Sequence, residues 1–283
     1  MTDKETKNTG DDKNATAAID SAPPTLRTAL LRGETVPYLT VPYEVIDGLA
    51  VAQGDIVLGT DEDVQRHTAE LAEEIAAATA GPGDGLAPGE QALDLSRPAP
   101  ITPLGNVHAG AGRRWPRGVV PYSIDPSVNA DSRAAITQAI RHWHKATRLA
   151  FHPRTTSDQD WVLFTHTPGI CRSAIGRKGS EQLIEVSQCG TSGTIHEIGH
   201  AVGLWHEQSR SDRDAFVIIR RENIIPGKES NFDKAGGDGD DIGPYDFASI
   251  MHYSSTEFVA SPTPTQVAPR RPWWPASRSR PAS

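Results

Sequence analysis

The chain has 283 residues and a mass of 30.5 kDa, which suffices for one substantial hydrophobic core with appendages or for two modest domains. Its mean hydropathy of -0.45 and the lack of a long apolar run argue against membrane insertion. The formal net charge is -8, and the acidic excess lies mainly in residues 1–100. The central region has no basic stripe, so nucleic-acid binding has little support.

The chain begins with a polar stretch that lacks the apolar segment of a secretory signal peptide. Residues 1 to about 25 are poor in large apolar side chains, which predicts disorder. Residues 36–59 alternate β-branched and polar residues between glycines, and this pattern predicts short strands. Strong helix formers with periodic apolar residues predict a helix over 61–80, and Gly/Pro punctuation predicts a linker over 81–103.

A globular pattern starts at residue 114, with a strand expected over Val119–Ile124. A long amphipathic helix follows, with Asp131 as its expected N-cap. Its apolar residues recur at helical spacing: Ala135, Ile136, Ile140, Trp143, Ala146 and Leu149. Further strands are expected over 161–164 and 182–186. Strands gathered around one helix, without regular β-α-β alternation, predict an α+β fold.

Three histidines lie in the segment HEIGHAVGLWHEQSRSDRD, residues 196–214. His196 and His200 are four positions apart, so on a helix both imidazoles leave the same face and can bind one ion. His206 is the natural third ligand, because Gly203 can adopt the left-handed conformation that ends the helix and turns the chain back. Three nitrogen ligands with one open position are typical of catalytic zinc, so the sequence predicts one Zn²⁺ per chain.

Glu197 follows the first histidine and is the expected general base. A carboxylate there can take a proton from zinc-activated water at neutral pH and pass it to a leaving amine, which implies amide hydrolysis. A lone histidine is more often a surface or core residue, and a bare H-E-x-x-H pattern occurs by chance in unrelated proteins. The longer register, which includes Gly203 and His206, is far more specific for a metal site.

This extended motif, followed by a methionine turn, is the metzincin signature, and within the metzincins the chain resembles the astacin family, in a bacterial-type form. The resemblance covers roughly residues 114–257. It is carried by HEQSRSDRD after the third histidine, SIMHY around Met251, RWPRGVVPY near the domain start and CRSAIGRKGSEQLIEVSQCG before the motif. It implies a zinc metalloendopeptidase whose zincin domain has a twisted mixed sheet, a long backing helix, an active-site helix and a Met-turn below the zinc.

The resemblance also implies roles for three residues around the metal. Tyr253 would be a switchable fifth zinc ligand that swings away to stabilise the tetrahedral intermediate, and a buried aromatic is the alternative. Met251 would form the hydrophobic floor under the histidines. Glu207 would meet the new N-terminus formed by cleavage somewhere before Trp115, and an exposed, solvated carboxylate is the alternative.

The chain has two cysteines, Cys171 and Cys189. By themselves they are compatible with one disulfide, with two free thiols or with part of a metal site. They match the positions of an astacin disulfide that flanks the strand binding extended substrate, which implies an oxidised pair and a secreted or extracytoplasmic setting. The other common disulfide of the family is not available, because Arg148 stands where its first cysteine would fall.

The segment AQGDI, residues 52–56, resembles the F-x-G-D segment of astacin propeptides, whose aspartate ligates the zinc. Asp55 is therefore the candidate metal ligand of a latent form. Ala52 replaces the phenylalanine of that segment, and a simple turn is the alternative. The predicted division is an acidic, propeptide-like leader, an astacin-like catalytic domain and a disordered Pro/Arg-rich tail, which comprise residues 1–103, 104–258 and 259–283.

The abrupt change of composition after Phe258 departs from the family, whose members continue through a C-terminal helix, and it predicts a truncated or altered C-terminus. The leading interpretation is a zymogen that an activating protease trims and that then cleaves protein or peptide substrates. One alternative is a catalytically impaired, truncated zinc-binding protein, and another is a zinc hydrolase of small amides or esters. Cleavage preference and oligomeric state are not predicted.

Overall fold

The computed structural model describes residues 26–31, 38–79, 105–108, 110–235, 239–260 and 266–267. The predictions of a disordered start and of a linker over 81–103 lie outside the described residues, as does most of the tail. Within the described ranges, no helix is both long enough and apolar enough to cross a membrane.

Thirteen strands and three helices are present in this part of the chain. The strands are β1 Leu26–Leu31, β2 Leu39–Ile46, β3 Leu49–Ala52, β4 Ile56–Thr60, β5 Gly105–His108, β6 Val119–Ile124, β7 Ala150–Pro153, β8 Trp161–Thr165, β9 Arg172–Ala174, β10 Glu181–Glu185, β11 Ile218–Ile219, β12 Gly239–Ile242 and β13 Gln266–Val267. The helices are α1 Asp61–Thr79, α2 Ala130–Ala146 and α3 Gly190–Ala201.

One mixed sheet of nine strands organises the fold, in the order β1-β2-β3-β4-β9-β10-β8-β6-β7. The four leader strands form an antiparallel meander, and β4 then joins the rest of the sheet by pairing parallel to β9. Beyond β9 the strands β10, β8, β6 and β7 are mutually parallel, whereas β9 is antiparallel to β10. The predicted α+β class with a mixed sheet is confirmed.

The leader has a hydrophobic core of its own between its meander and α1. The predicted strands and helix are confirmed here, and α1 begins after Thr60, whose hydroxyl accepts from the Asp63 amide at 3.1 Å. Val64 and Leu71 are seven positions apart, close to two helical turns, so they lie on the same face of α1. Both side chains are buried. The leader core consists of Ala29, Val41, Tyr43, Ala50, Ala52 and Val64.

The larger core lies between α2, α3 and the strands beyond β9. Ile136, Ile140 and Trp143 of α2 are buried against it, as their helical spacing predicts. The Trp143 indole Nε1 donates to the Ile195 carbonyl of α3 at 3.1 Å, and Trp115 Nε1 donates to the Ala201 carbonyl at 2.8 Å. These two bonds fix the middle and the C-terminal end of the helix that carries the first two histidines.

The N-terminus of α2 corrects one prediction. Asn129, not Asp131, is the N-cap: its side-chain oxygen accepts from the Ser132 amide at 2.9 Å. Asp131 instead lies in the first turn, where a negative charge still interacts favourably with the helix dipole. Both residue types favour helix starts, so composition alone places the cap only to within a residue or two.

The tail contains one short strand that was not predicted. In β13, Val267 pairs antiparallel with Ile218, and Gln266 pairs with Ile219 of β11. Two residues of the segment expected to form a disordered tail therefore pair with the rest of the fold. An isolated bridge between Ile224 and Val259 ties the preceding segment to the same part of the fold.

Replacing Asn129 by Ala is expected to lower the free energy of unfolding by about 1 kcal/mol, because the Ser132 amide loses its acceptor. Asp131→Ala is the matched control and should lose only about 0.3 kcal/mol of helix-dipole stabilisation. Urea unfolding followed by tryptophan fluorescence measures both. An equal loss in the two variants would contradict the assignment of Asn129 as the cap.

Candidate active site

The three histidines converge on one point at the C-terminal end of α3. His196 and His200 leave the same helix face, and their Nε2 atoms are 3.0 Å apart. The helix ends at Ala201, and Gly203 has a φ of +104°, a conformation that strains any residue with a side chain. The chain reverses there, and it brings the Nε2 of the fully buried His206 to 3.3 Å from that of His196.

The other ring nitrogen of each histidine has a hydrogen-bond acceptor. His196 Nδ1 donates to the Ile250 carbonyl at 2.8 Å, and His200 Nδ1 donates to the Leu204 carbonyl at 2.8 Å. His206 Nδ1 donates to a side-chain oxygen at 3.0 Å. With each Nδ1 protonated, every Nε2 presents its lone pair to the common centre, which is how metal-binding imidazoles are held in their reactive tautomer.

Asp55 of the leader reaches the same centre. Its Oδ2 lies 3.3 Å from the Nε2 atoms of His196 and His206, and its Oδ1 lies 3.6 Å from that of His200. Burial raises the pKa of the Asp55 carboxyl, but the facing histidines outweigh burial and hold that pKa well below its usual value. The turn between β3 and β4 therefore inserts a carboxylate among the three imidazoles.

The four residues match the requirements of a zinc site. Tetrahedral ligands about 2.0–2.1 Å from zinc are separated by about 3.3 Å, close to the Nε2 spacings found here. Burial lowers the pKa of His206 to about 4 and also lowers that of His200, so both are neutral ligands near pH 7. Asp55 Oδ1 is buried and has no hydrogen-bond partner in the described part of the chain, as expected of an atom placed for a metal. The cluster can hold one metal ion.

Glu197 lies next to the first histidine on α3 and is buried. Its Oε2 has no hydrogen-bond partner among the described residues. Burial, together with the negative charges of Asp55 and Glu185, raises the pKa of the Glu197 carboxyl well above its ordinary value. A buried carboxyl with a free oxygen and a raised pKa is suited to proton transfer near neutral pH.

Met251 lies under α3. A side-chain carbon at Gly199 would lie 2.5 Å from its sulfur, so the absence of a side chain at Gly199 lets the methionine pack directly against the helix. Met251 is 2% exposed, and its carbonyl accepts from the Glu207 amide at 3.0 Å. The neighbouring carbonyl of Ile250 holds His196, so the Met-turn supports the histidines both by packing and by hydrogen bonding.

Tyr253 follows the Met-turn, with its ring 4.4 Å from that of His206 between centroids. Its hydroxyl donates to the Gln53 carbonyl of the leader. Burial, with a contribution from Asp55, raises the pKa of Tyr253 well above its ordinary value, so the hydroxyl remains a hydrogen-bond donor. The side chain lies beside the metal cluster and can contact a group bound there once the leader carbonyl is withdrawn.

Glu207 is only 1% exposed, so the alternative of an exposed, solvated carboxylate is wrong. Its Oε1 accepts from the Asp246 amide at 2.9 Å and lies 3.5 Å from an Arg210 nitrogen. Burial raises the pKa of Glu207, and these two neighbours oppose that rise. Sequence alone missed the burial because Asp246, 39 residues further along the chain, comes into contact only through the fold.

Cys171 and Cys189 form a disulfide with a Cα separation of 6.3 Å, which confirms the predicted pair. The bridge closes a loop that contains β9 and β10 and ends at the start of α3. Inside this loop, Arg172 forms a buried ion pair with Glu185. The disulfide ties the start of β9, the strand with which β4 pairs, to the start of α3, and the ion pair ties β9 to β10.

Gln53 is a site residue that the sequence did not predict. It is buried, and its Oε1 is the acceptor for His206 Nδ1. The only local sign of a special role is its place before the Gly54-Asp55 pair. Gly54 itself has a φ of +87°, and a side-chain carbon there would lie 2.8 Å from the Phe258 ring, so glycine is required at this position.

Comparisons with known proteins agree with this geometry. The family model described as Astacin, a peptidase family, matches residues 107–274, which is more than half of the chain. High choriolytic enzyme 1, a hatching enzyme zinc-protease from Oryzias latipes, is 33% identical in sequence with a TM-score of 0.50, and the match covers 57% of this chain and 82% of that one.

Curated relatives match the same region. Tolloid-like protein 1 of Mus musculus is 44% identical over 151 residues, covering 52% of this chain and 15% of that protein. Bone morphogenetic protein 1 of Xenopus laevis is 44% identical over 151 residues, covering 52% of this chain and 21% of its own length. Zinc metalloproteinase nas-14 of Caenorhabditis elegans is 40% identical over 159 residues, covering 54% of this chain and 32% of that protein.

The chain therefore spans no more than about a third of the length of these curated relatives. The matched residues contain all three histidines, Glu197 and the Met-turn, and they end beyond the boundary expected at residue 258. On the extent of the family match and the identity to the hatching enzyme, this chain belongs to the astacin family of peptidases.

Proposed function

We propose that the chain is a zinc-dependent metalloendopeptidase that hydrolyses peptide bonds in proteins and is held latent by its own leader. The observation that carries the proposal is the convergence of three imidazole Nε2 atoms and one leader carboxylate on a single point beside the buried carboxyl of Glu197. The nas-14 protein and the hatching enzyme are both named as zinc proteases, which supports the same chemistry here.

In this proposal His196, His200 and His206 would hold the zinc, which would supply Lewis-acid activation of water and of the substrate carbonyl. Glu197 accepts the proton of the attacking water as the new C–O bond forms. It then delivers that proton to the amide nitrogen as the C–N bond breaks. Its burial and its uncommitted oxygen support this role.

Tyr253 is proposed to donate a hydrogen bond to the oxyanion of the tetrahedral intermediate. Its position 4.4 Å from the His206 ring and its raised pKa support a donor that remains protonated during turnover. Met251 is proposed to hold the histidine-bearing helix in position by packing against it, and its close packing on Gly199 supports this role. Preorganisation of this kind lowers the cost of reaching the transition state.

The leader is proposed to block the site in two ways. Asp55 would take the coordination position that a catalytic zinc keeps open for water, and β4 pairs with β9, where an extended substrate is expected to pair. Residues 1–103 would then act as propeptide, 104–258 as catalytic domain and 259–283 as tail. The separate hydrophobic core of the leader supports treating it as a unit distinct from the catalytic domain.

Activation is proposed to require cleavage before Trp115 by another protease, after which Glu207 would meet the new N-terminus. The burial of Glu207 beside Asp246 supports a role as the internal partner of an incoming charge. The disulfide supports an extracytoplasmic setting, since such bonds persist in oxidising compartments. The relatives described above are animal proteins, which gives the bacterial-type expectation no support.

Glu197→Ala is expected to lower peptide hydrolysis by on the order of 10² to 10⁴, because the proton acceptor and donor is lost while the zinc ligands remain. The assay is quenched-peptide hydrolysis by trypsin-trimmed chain, with zinc content measured alongside. The exposed Glu222→Ala variant is the matched control and should keep the full rate. A Glu197→Ala variant that retains zinc and full activity would falsify the mechanism.

Asp55→Ala is expected to raise hydrolysis by the uncut chain on the order of tenfold or more, because the blocked state loses its ligand to the metal. Asp55→Asn keeps the shape but removes the charge, so it should give an intermediate rise. Glu73→Ala, which removes an exposed leader carboxylate, is the control and should leave the uncut chain latent. An unchanged low rate in Asp55→Ala would count against the latency mechanism.

Zinc removal decides between an active peptidase and a zinc-binding protein without turnover. Activity that appears after trypsin trimming, disappears with 1,10-phenanthroline and returns with added zinc supports an active zinc peptidase. Stoichiometric zinc without hydrolysis under any trimming condition supports a zinc-binding protein without turnover.

A further inference from the structure

Gln53 is the point at which the leader touches both the third histidine and the Met-turn tyrosine. Its side-chain Oε1 accepts from His206 Nδ1 at 3.0 Å, and its backbone carbonyl accepts from the Tyr253 hydroxyl. Its side-chain Nε2 donates to the Asp233 carbonyl at 3.4 Å. One buried residue of the leader thus has three polar contacts with the catalytic domain.

The backbone at this point is strained. Gln53 has a φ of +50° and Gly54 one of +87°, so two successive residues adopt positive φ. For glycine this conformation is free of strain, whereas for glutamine it costs free energy. The strained turn directs the backbone and side-chain oxygens of Gln53 to two different hydrogen-bond donors of the site, which supports a specific function for the turn.

The contacts of Gln53 differ in kind from those of Asp55. Asp55 faces the Nε2 atoms, where a metal binds, whereas Gln53 bonds to the opposite ring nitrogen of His206 and to a hydroxyl. Hydrogen bonds from an N–H and an O–H group need no metal. The bond to the Gln53 carbonyl also uses the hydroxyl proton of Tyr253, which would otherwise be available to donate to an oxyanion.

We propose that Gln53 is a second latency residue, a metal-independent latch that fixes the leader to His206 and Tyr253. This inference rests on the proposed function for its role in latency. The latch holds the leader in the site even before zinc is bound, so that the Asp55 carboxylate is already in position when the ion arrives. Release of the leader frees His206 Nδ1 and the Tyr253 hydroxyl together.

Gln53→Met tests the latch, because methionine keeps the length and most of the volume of the side chain and removes its acceptor and donor. Gln65→Met is the matched control: Gln65 lies in the same leader and donates to the Tyr43 hydroxyl at 2.6 Å, away from the site. Hydrogen–deuterium exchange of residues 49–60 is measured by mass spectrometry on the full chain after zinc is removed with 1,10-phenanthroline.

In the metal-free wild-type chain the segment should exchange slowly, and Gln53→Met should speed its exchange on the order of fivefold to tenfold, as expected for the loss of buried hydrogen bonds. Gln65→Met should stay close to wild type. Fast exchange in the metal-free wild-type chain, no change in Gln53→Met, or an equal change in both variants would overturn the proposal.

A second measurement separates the latch from a general loosening of the leader. In chain labelled with ¹⁵N-histidine, the Nδ1–H signal of His206 should be visible in metal-free wild type and in Gln65→Met, and lost by solvent exchange in Gln53→Met. Retention of that signal in Gln53→Met would overturn the proposal. Neither readout needs zinc or turnover, so both stand even if the chain hydrolyses no peptide bond.

Discussion

The Nε2 atoms of His200 and His206 lie 3.0 and 3.3 Å from that of His196, and lone pairs that face one another so closely repel unless a cation lies between them. The surroundings of the site serve to keep that arrangement. Each Nδ1 is held by an acceptor, so no ring can turn away and satisfy its Nε2 elsewhere. Groups outside the ring cluster therefore set the geometry. These groups are a backbone carbonyl in the chain reversal after α3, a backbone carbonyl in the Met-turn and one side chain of the leader.

The acceptors come from parts of the chain that are far apart in sequence. Ile250 belongs to the Met-turn, Leu204 to the reversal after α3 and Gln53 to the leader. Two tryptophan indoles fasten α3 to the core, so the helix is a fixed platform. The site therefore depends on tertiary structure at every ligand, although its ligands lie within eleven residues of one another in sequence.

The histidines, Glu197 and Gly203 could be predicted because their relation is local: helical spacing and one glycine turn determine it. The elements of the leader were predictable for the same reason, since alternation and helical periodicity are read within each segment. The position of the α2 cap was missed by two residues because Asn129 and Asp131 are both good caps.

Other features could not be read from the sequence because they depend on distant pairing. Gln53 meets His206 over a separation of 153 residues, and Glu207 is buried by Asp246. The joining of the leader meander to β9 extends the catalytic sheet through only two paired positions, Ile56 with Ser173 and Val57 with Ala174. No local pattern in β4 specifies which strand it will pair with.

Removal of the leader would take β4 away from β9. A strand whose neighbour is removed becomes a sheet edge, and exposed edges recruit other chains into intermolecular sheets. Here the newly uncovered edge is β9, which has three residues and is tied down at its start by the disulfide at Cys171. An edge this short offers few backbone groups for self-association, so removal of the leader would expose a strand edge with little hazard of aggregation.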